Sequence, residues 1–328
     1  MRLLNAYTIR LKSFNGAESN IPYYAILHSR ASNAVKLSTR SKNVAHRLEG
    51  MVMAVWIDTC CIDKTSSAEL SEAINSMFKW YQQASLCYVF LSDFTDTSFF
   101  SNRWFTRGWT LQELIAPRRV NFFDKDWINF GSRDDELLGR LCHKTGIWPQ
   151  LFDEPRCYCL GPYPAVRNGV CVRCSTRDIL PQTLDSFAVS VKMSWASSCI
   201  TTRKEDSAYC LLGLFNLNMP MLCGEGNKAF LRLQEAIVRQ SKDQSILLWR
   251  GGFDHAPFGH VFGCLAPSPS VFSEPIRILG RRVFKRTSRA FEVGFMSSIT
   301  PTELTDTAIQ MDLWICPCTV SIYDPETN

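Results

Sequence analysis

Met51-Val52-Met53-Ala54-Val55-Trp56-Ile57-Asp58-Thr59-Cys60-Cys61-Ile62-Asp63-Lys64 opens on an unbroken apolar run and closes on polar residues. Such a run is long enough for a strand and too short for a helix. It does not alternate, so it reads as a strand buried on both faces, as in a parallel sheet. Ser66-Ser67-Ala68-Glu69 then has the form of a capping box, with Ser66 as N-cap and Glu69 three residues on. Leu70, Ile74, Met77, Tyr81 and Ala84 recur at helical spacing and predict an amphipathic helix. Residues 86–91 are a second apolar run, leading into Asp93, and residues 120–123 are a third. Between them, residues 107–116 suit a short helix that Pro117 stops. Ser132, Asp134, Asp135 and Glu136 make an acidic helix start, continued by Leu138, Leu141 and Thr145 and ended by Gly146. Strands alternating with helices predict a mostly parallel α/β sheet with helices on both faces. The runs at 51–57, 86–91 and 120–123 are expected to be neighbouring parallel strands.

Beyond this region the texture changes. Residues 153–185 are rich in Pro, Gly and Cys and read as loop, with no fixed order and no metal expected there. Helical patterns resume at 187–197, 205–215 and 227–241, and residues 245–249 look like a strand. Ile309, Met311, Leu313 and Ile315 alternate with Gln310, Asp312, Trp314 and Cys316, which is half-buried strand periodicity. The expected division is an N-terminal extension (1–19), an α/β domain (20–150) and a Cys- and Pro-rich insertion or linker (151–186). A helical segment (187–251) and a β-rich C-terminal region (252–328) follow.

The 328 residues are 46% hydrophobic and 20% charged, so the chain can bury a core without disulfide staples. A formal net charge of +5 is too small to imply a polyanionic partner. Arg281, Arg282, Lys285 and Arg286 form the densest basic stretch and read as the charged face of surface strands, so no nucleic-acid partner is expected. The N-terminus has no secretory signal pattern, and no apolar run has the length of a membrane span. A cytoplasmic location follows as the expectation, and the 14 cysteines then read as thiols.

Longer motifs carry a resemblance. Trp56-Ile57-Asp58-Thr59-Cys60-Cys61-Ile62-Asp63-Lys64 and Arg103-Trp104-Phe105-Thr106-Arg107-Gly108-Trp109-Thr110-Leu111-Gln112-Glu113-Leu114-Ile115-Ala116-Pro117 resemble the signature motifs of fungal heterokaryon-incompatibility (HET) domains. Met193-Ser194-Trp195-Ala196-Ser197, Thr201-Thr202-Arg203-Lys204-Glu205-Asp206 and Gly224-Glu225-Gly226-Asn227-Lys228-Ala229-Phe230 resemble the segment that follows the domain in those proteins. The resemblance spans about residues 20–250. It departs at the first motif, where Tyr24-Ala25-Ile26-Leu27-His28-Ser29-Arg30 lacks the family's serine and tryptophan, and at Cys199, where the family has arginine. These departures leave a decayed, inactive paralogue open as a reading. The resemblance implies a TIR-like fold of flavodoxin type and a cell-death signalling role in fungal self/non-self recognition. It also implies partners that are other signalling proteins or further copies of the chain.

HET domains resemble TIR domains, and plant TIR domains that cleave NAD carry a Trp-x-x-x-Glu-Leu run whose glutamate is catalytic. Glu113 is its counterpart, which makes NAD a candidate substrate of an NAD glycohydrolase. A carboxylate suits that chemistry, because breaking a glycosidic bond develops oxocarbenium-like charge. Helical spacing puts Trp109 on the same face as Glu113, as a wall for a bound ligand. The structural alternative pairs Glu113 with Arg103 or Arg107. Asp58 lies at a strand end, where ligands collect in open α/β sheets; alternatively, one of Asp58 and Asp63 caps the next turn and the other pairs with Lys64. His28 is a further catalytic candidate as the remnant of the first-motif histidine, or a hydrogen-bonded structural residue. Cys60-Cys61 reads as buried small hydrophobes more readily than as a reactive thiol. Cys157, Cys159, Cys171 and Cys174 have the composition of a zinc site but not its spacing, and no metal is expected. Gly224-Glu225-Gly226 reads as a tight turn before a helix or, less naturally, as an anion site.

Overall fold

The computed structural model describes residues 1–5, 8, 10–14, 24–28, 54–91, 99–153, 166–167, 170–171, 180–249, 264–273, 303–304 and 309–310. Its centre is a mixed sheet of β1 (Arg2–Asn5), β2 (Leu11–Ser13), β3 (Tyr24–His28), β4 (Ala54–Trp56), β5 (Leu86–Phe90), β6 (Val120–Phe123) and β7 (Asn129–Ser132). The order across the sheet is β2-β1-β4-β3-β5-β6-β7. Strands β4, β3, β5 and β6 run parallel, while β1, β2 and β7 are antiparallel additions at the two edges. The α/β class expected from alternating strands and helices is therefore present, with one correction. The runs around 54–56 and 86–90 are not neighbours, because β3 lies between them and pairs with both.

Helix α1 (Asp58–Cys61) begins where β4 ends, and α2 (Ser67–Gln83) follows one turn later. Ser66 caps α2, its hydroxyl accepting the Glu69 N–H at 3.3 Å. Glu69 does not close the box on Ser66. Its carboxylate takes the Asp63 N–H at 2.8 Å and pairs with Arg2 of β1 at 2.6 Å. Ala73, Ile74, Met77 and Tyr81 form the buried stripe of α2. They face a register row in which Trp56, Ile26, Cys87 and Val120 stand side by side on four strands. Trp56 meets Trp80 and Tyr81 edge-on, at ring-centroid distances of 5.7 and 5.8 Å.

Helix α3 (Thr110–Ile115) crosses from β5 to β6, and all six of its residues are buried. Arg133, itself fully buried, ties down the end of this helix. Its guanidinium donates to the carbonyls of Leu114, Pro117 and Arg118 at 2.6–2.9 Å and pairs with Asp134. Helix α4 (Leu138–Thr145) ends at Gly146 with φ 70°, the left-handed C-cap that the sequence predicts.

The remaining helices are α5 (Gln150–Asp153), α6 (Leu180–Ser186), α7 (Val189–Ser194), α8 (Asp206–Tyr209) and α9 (Lys228–Gln240), with a 3-10 turn at Leu212–Phe215. The 3-10 turn packs against α2, and loop residues of the segment bond to α2, to α3 and to the turn before α3. Asn75 donates to the Met219 carbonyl and accepts its N–H. Gln112 donates to the Cys210 carbonyl at 2.7 Å, and the Ile200 N–H donates to the Thr106 carbonyl at 2.6 Å. Gly213 lies so close to α2 that a Cβ there would sit 2.2 Å from the Phe78 Cβ.

Two further expectations need correction. Leu180–Ser186 is helical inside a stretch read as loop. Pro181 does not prevent this, because proline is tolerated in a helix's first turn. Residues 245–249 are not a strand: Gln244–Leu247 is a 3-10 turn, capped where Asp243 accepts the Ser245 N–H. Two short antiparallel strand pairs are also present: β8 (Val166–Arg167) with β9 (Val170–Cys171), and β10 (Glu303–Leu304) with β11 (Ile309–Gln310). Most of the expected β-rich C-terminal region and the basic stretch at 277–289 lie outside the described residues. Among the described residues no helix is long and apolar enough to cross a membrane.

Candidate functional site

The chain leaves β3 towards β4, then recrosses the sheet to β5 and β6 on the other side. This reversal places a topological switch point at the carboxyl ends of β3 and β5, the place where open α/β sheets bind ligands. His28 ends β3, paired with Val89 of β5. Its side chain lies outside the described residues. Asp58 opens α1, one residue after β4 ends.

Glu113 is 5% exposed. Its Oε2 accepts the Trp104 indole N–H at 3.1 Å, and the Tyr81 hydroxyl donates to it as well. Two of the groups that hold this carboxylate are therefore an uncharged indole and an uncharged phenol. Burial pushes the Tyr81 hydroxyl well above the ordinary tyrosine range, and the charges of Glu113 and Asp58 push it further. Burial and the Glu113 charge act in the same direction on the Cys87 thiol. Tyr81 is thus the side chain that senses both candidate carboxylates. Trp104 in turn packs against Phe105 and Phe122, so the indole is fixed from two elements.

Trp109 bonds in another direction. Its side chain donates to Asp206 of α8, whose carboxyl burial raises above the usual range. The indole beside Glu113 is that of Trp104, a residue the sequence motif contains but helical spacing did not select. The Arg107 Nε is buried without a hydrogen-bond partner.

Asp63 caps a turn: its Oδ1 accepts both the N–H and the hydroxyl of Thr65, and these bonds hold its carboxyl below the usual range. Cys60 and Cys61 have their sulfurs 4.0 Å apart. A hydrogen bond from Cys61 draws the Cys60 thiol down and drives that of Cys61 up. At Gly224-Glu225-Gly226 both glycines have positive φ, 84° and 58°. The Gly226 N–H already donates to Glu205, and Glu225 binds Arg232 and Tyr209, so carboxylates of the chain occupy this turn. Cys157, Cys159 and Cys174 and the Cys171 side chain lie outside the described residues. Among the described residues no three His, Cys, Asp or Glu side chains are grouped as metal ligands would be.

Strand-ending polar residues around a switch point, on a mainly parallel sheet with α2 and α3 packed against one face, define an α/β domain with the HET signature at its centre. The family model for heterokaryon incompatibility protein (HET) matches residues 28–101. The match includes His28 and Asp58 and ends before Glu113. Over 196 residues the chain is 42% identical to vegetative incompatibility protein HET-E-1 of Podospora anserina. That similarity covers 56% of this chain and 12% of the relative, so the chain spans about an eighth of the protein it matches. No solved structure matches.

Proposed function

We propose that the chain acts in heterokaryon (vegetative) incompatibility, as a cytoplasmic module that commits a fungal cell to death after non-self recognition. The observation that carries this reading is the 42% identity over 196 residues to a vegetative incompatibility protein. The packing supports it, because the signature residues build the core. Trp56 lies in the central sheet, Trp104 and Glu113 are bonded to each other, and Trp109 and Gln112 join α3 to the helices behind it. A module of this kind works through contacts with signalling proteins or with further copies of itself.

Glu113 is more easily understood here as the buried acceptor that joins α3 to α2 and Trp104 than as an open catalytic carboxylate. NAD cleavage is accordingly kept as an outcome of the test. The chain is expressed from an inducible promoter in a filamentous fungus, and viable cells are counted. Loss of viability on induction is expected; unchanged growth at a detectable protein level overturns the proposal. Nicotinamide released from NAD by the concentrated pure protein, and lost in Glu113→Gln, would establish the enzymatic route to the same end.

A further inference from the structure

Behind the sheet domain, the helical segment forms an open cavity of about 320 Å³ between α7, α9 and the loops that join them to their neighbours. That volume lies at the small end of the range for small-molecule sites. Its apolar wall is formed by Phe187, Val189, Phe215, Leu217 and Ile237. Into this wall is set Lys192, only 5% exposed, with its Nζ 4.6 Å from the centroid of the Phe215 ring. Among the described residues no carboxylate comes within ion-pair distance of that ammonium. Asp243 lines the cavity, but its oxygens accept the backbone N–H groups of Val189 and Ser245 at 2.7 and 2.8 Å. Asp185 stands at the exposed rim with Lys242. Burial lowers the Lys192 pKa, against the opposing pull of Asp185 and Asp243.

We propose that this cavity binds a small organic monocarboxylate with an aromatic or branched apolar body. The carboxylate would pair with Lys192 and the body would lie against Phe187, Phe215 and Ile237. Asp185 and Asp243 act on this ammonium only at a distance, and a ligand anion in the cavity would supply the direct charge-assisted bond. A single buried cation flanked by Asp185 and Asp243 suits a monoanion and disfavours a phosphate dianion. The apolar wall selects against small inorganic ions, which have nothing to bury there. The site is separate from the Glu113 cluster and does not depend on the proposed signalling role.

The test is calorimetric titration of the full chain with phenylacetate, with its neutral isostere phenylacetamide, and with inorganic phosphate. Phenylacetate is expected to bind, and phenylacetamide to bind weaker by about tenfold or more, for want of the charge-assisted bond. Lys192→Met, which keeps the apolar stem, is expected to abolish the preference for the acid. Equal binding of acid and amide, tighter binding of phosphate, no binding of phenylacetate at millimolar concentration, or a preference retained in Lys192→Met would each overturn the proposal. The comparison of acid with amide uses the unaltered chain, so it decides the matter even if the variant does not fold.

Discussion

Glu113 and Lys192 are both charged residues in buried settings, and the two settings predict opposite consequences of removing the charge. Glu113 satisfies Trp104 and Tyr81. Glu113→Ala would leave an indole N–H and a phenol without this acceptor, at a cost of about 1–3 kcal/mol in urea unfolding. Glu113→Gln retains an acceptor oxygen and should cost less than about 1 kcal/mol, which makes it the cleaner probe of chemistry. Equal and negligible effects of both substitutions would show that the carboxylate does not hold the core. Lys192 has no comparable partner, and its folded pKa is depressed by burial. Between the folded and unfolded values the native state binds fewer protons than the unfolded chain, so stability rises with pH through that window. Below the folded value the full cost of the buried cation remains. Lys192→Met should therefore be more stable by about 1 kcal/mol near neutral pH. The gain should shrink as pH rises towards the ordinary lysine range of about 10.4, because the native amine loses its proton before the unfolded one does. Asp185, Asp243 and Lys242 line the same cavity as this amine. Thermal melts of both proteins across that range check the sign, and a variant less stable at every pH would contradict it.

Elements that bury one continuous apolar run were legible in the sequence, and elements defined by their neighbours were not. The strands at 54–56, 86–90 and 120–123 and the helix at 67–83 follow from apolar runs and helical spacing, and Gly146 marks a helix end through its left-handed φ. Strand β3 becomes the centre of the sheet only through pairing with β4 and β5, a placement that its own residues do not encode. Strand β7, Asn-Phe-Gly-Ser, is an edge strand with little apolar content, fixed by a turn in which Asp124 accepts two backbone N–H groups. Ser245-Ile246-Leu247-Leu248 has strand composition, yet a single side-chain cap from Asp243 turns it. At the site, the position of Glu113 on a helix was readable from its motif. Its partnership with Trp104 was not, because that bond joins the 3-10 turn Arg103–Thr106 to a helix. Lys192 carried a signal that could have been used, a lone cation among Val189, Val191, Met193 and Trp195. The docking of the helical segment rests on contacts of the same non-local kind, and Gly213 is the tightest of them. Gly213→Ala would drive a Cβ into the Phe78 side chain and should cost about 3 kcal/mol or more. A loss below about 0.5 kcal/mol in urea unfolding would mean that the segment can move off α2 freely.

On the scale of the whole molecule, the parallel strands and the helical segment share α2 and α3 as a common middle layer. Asn75, Thr106 and Gln112 bond outward to Met219, Ile200 and Cys210, while Tyr81 and Trp104 bond inward to Glu113. Residues 28–101, which carry the family match, are therefore only part of the packed unit. We propose that this unit, sheet and docked helices together, is what triggers cell death. The most direct measurement is viability after induced expression, at matched protein levels, of the full chain and of residues 1–153 alone. The full chain is expected to kill, and the shorter piece, with the outer sides of α2 and α3 uncovered, is expected not to. Killing by residues 1–153 equal to that of the full chain, or healthy growth with the full chain expressed, would contradict the account.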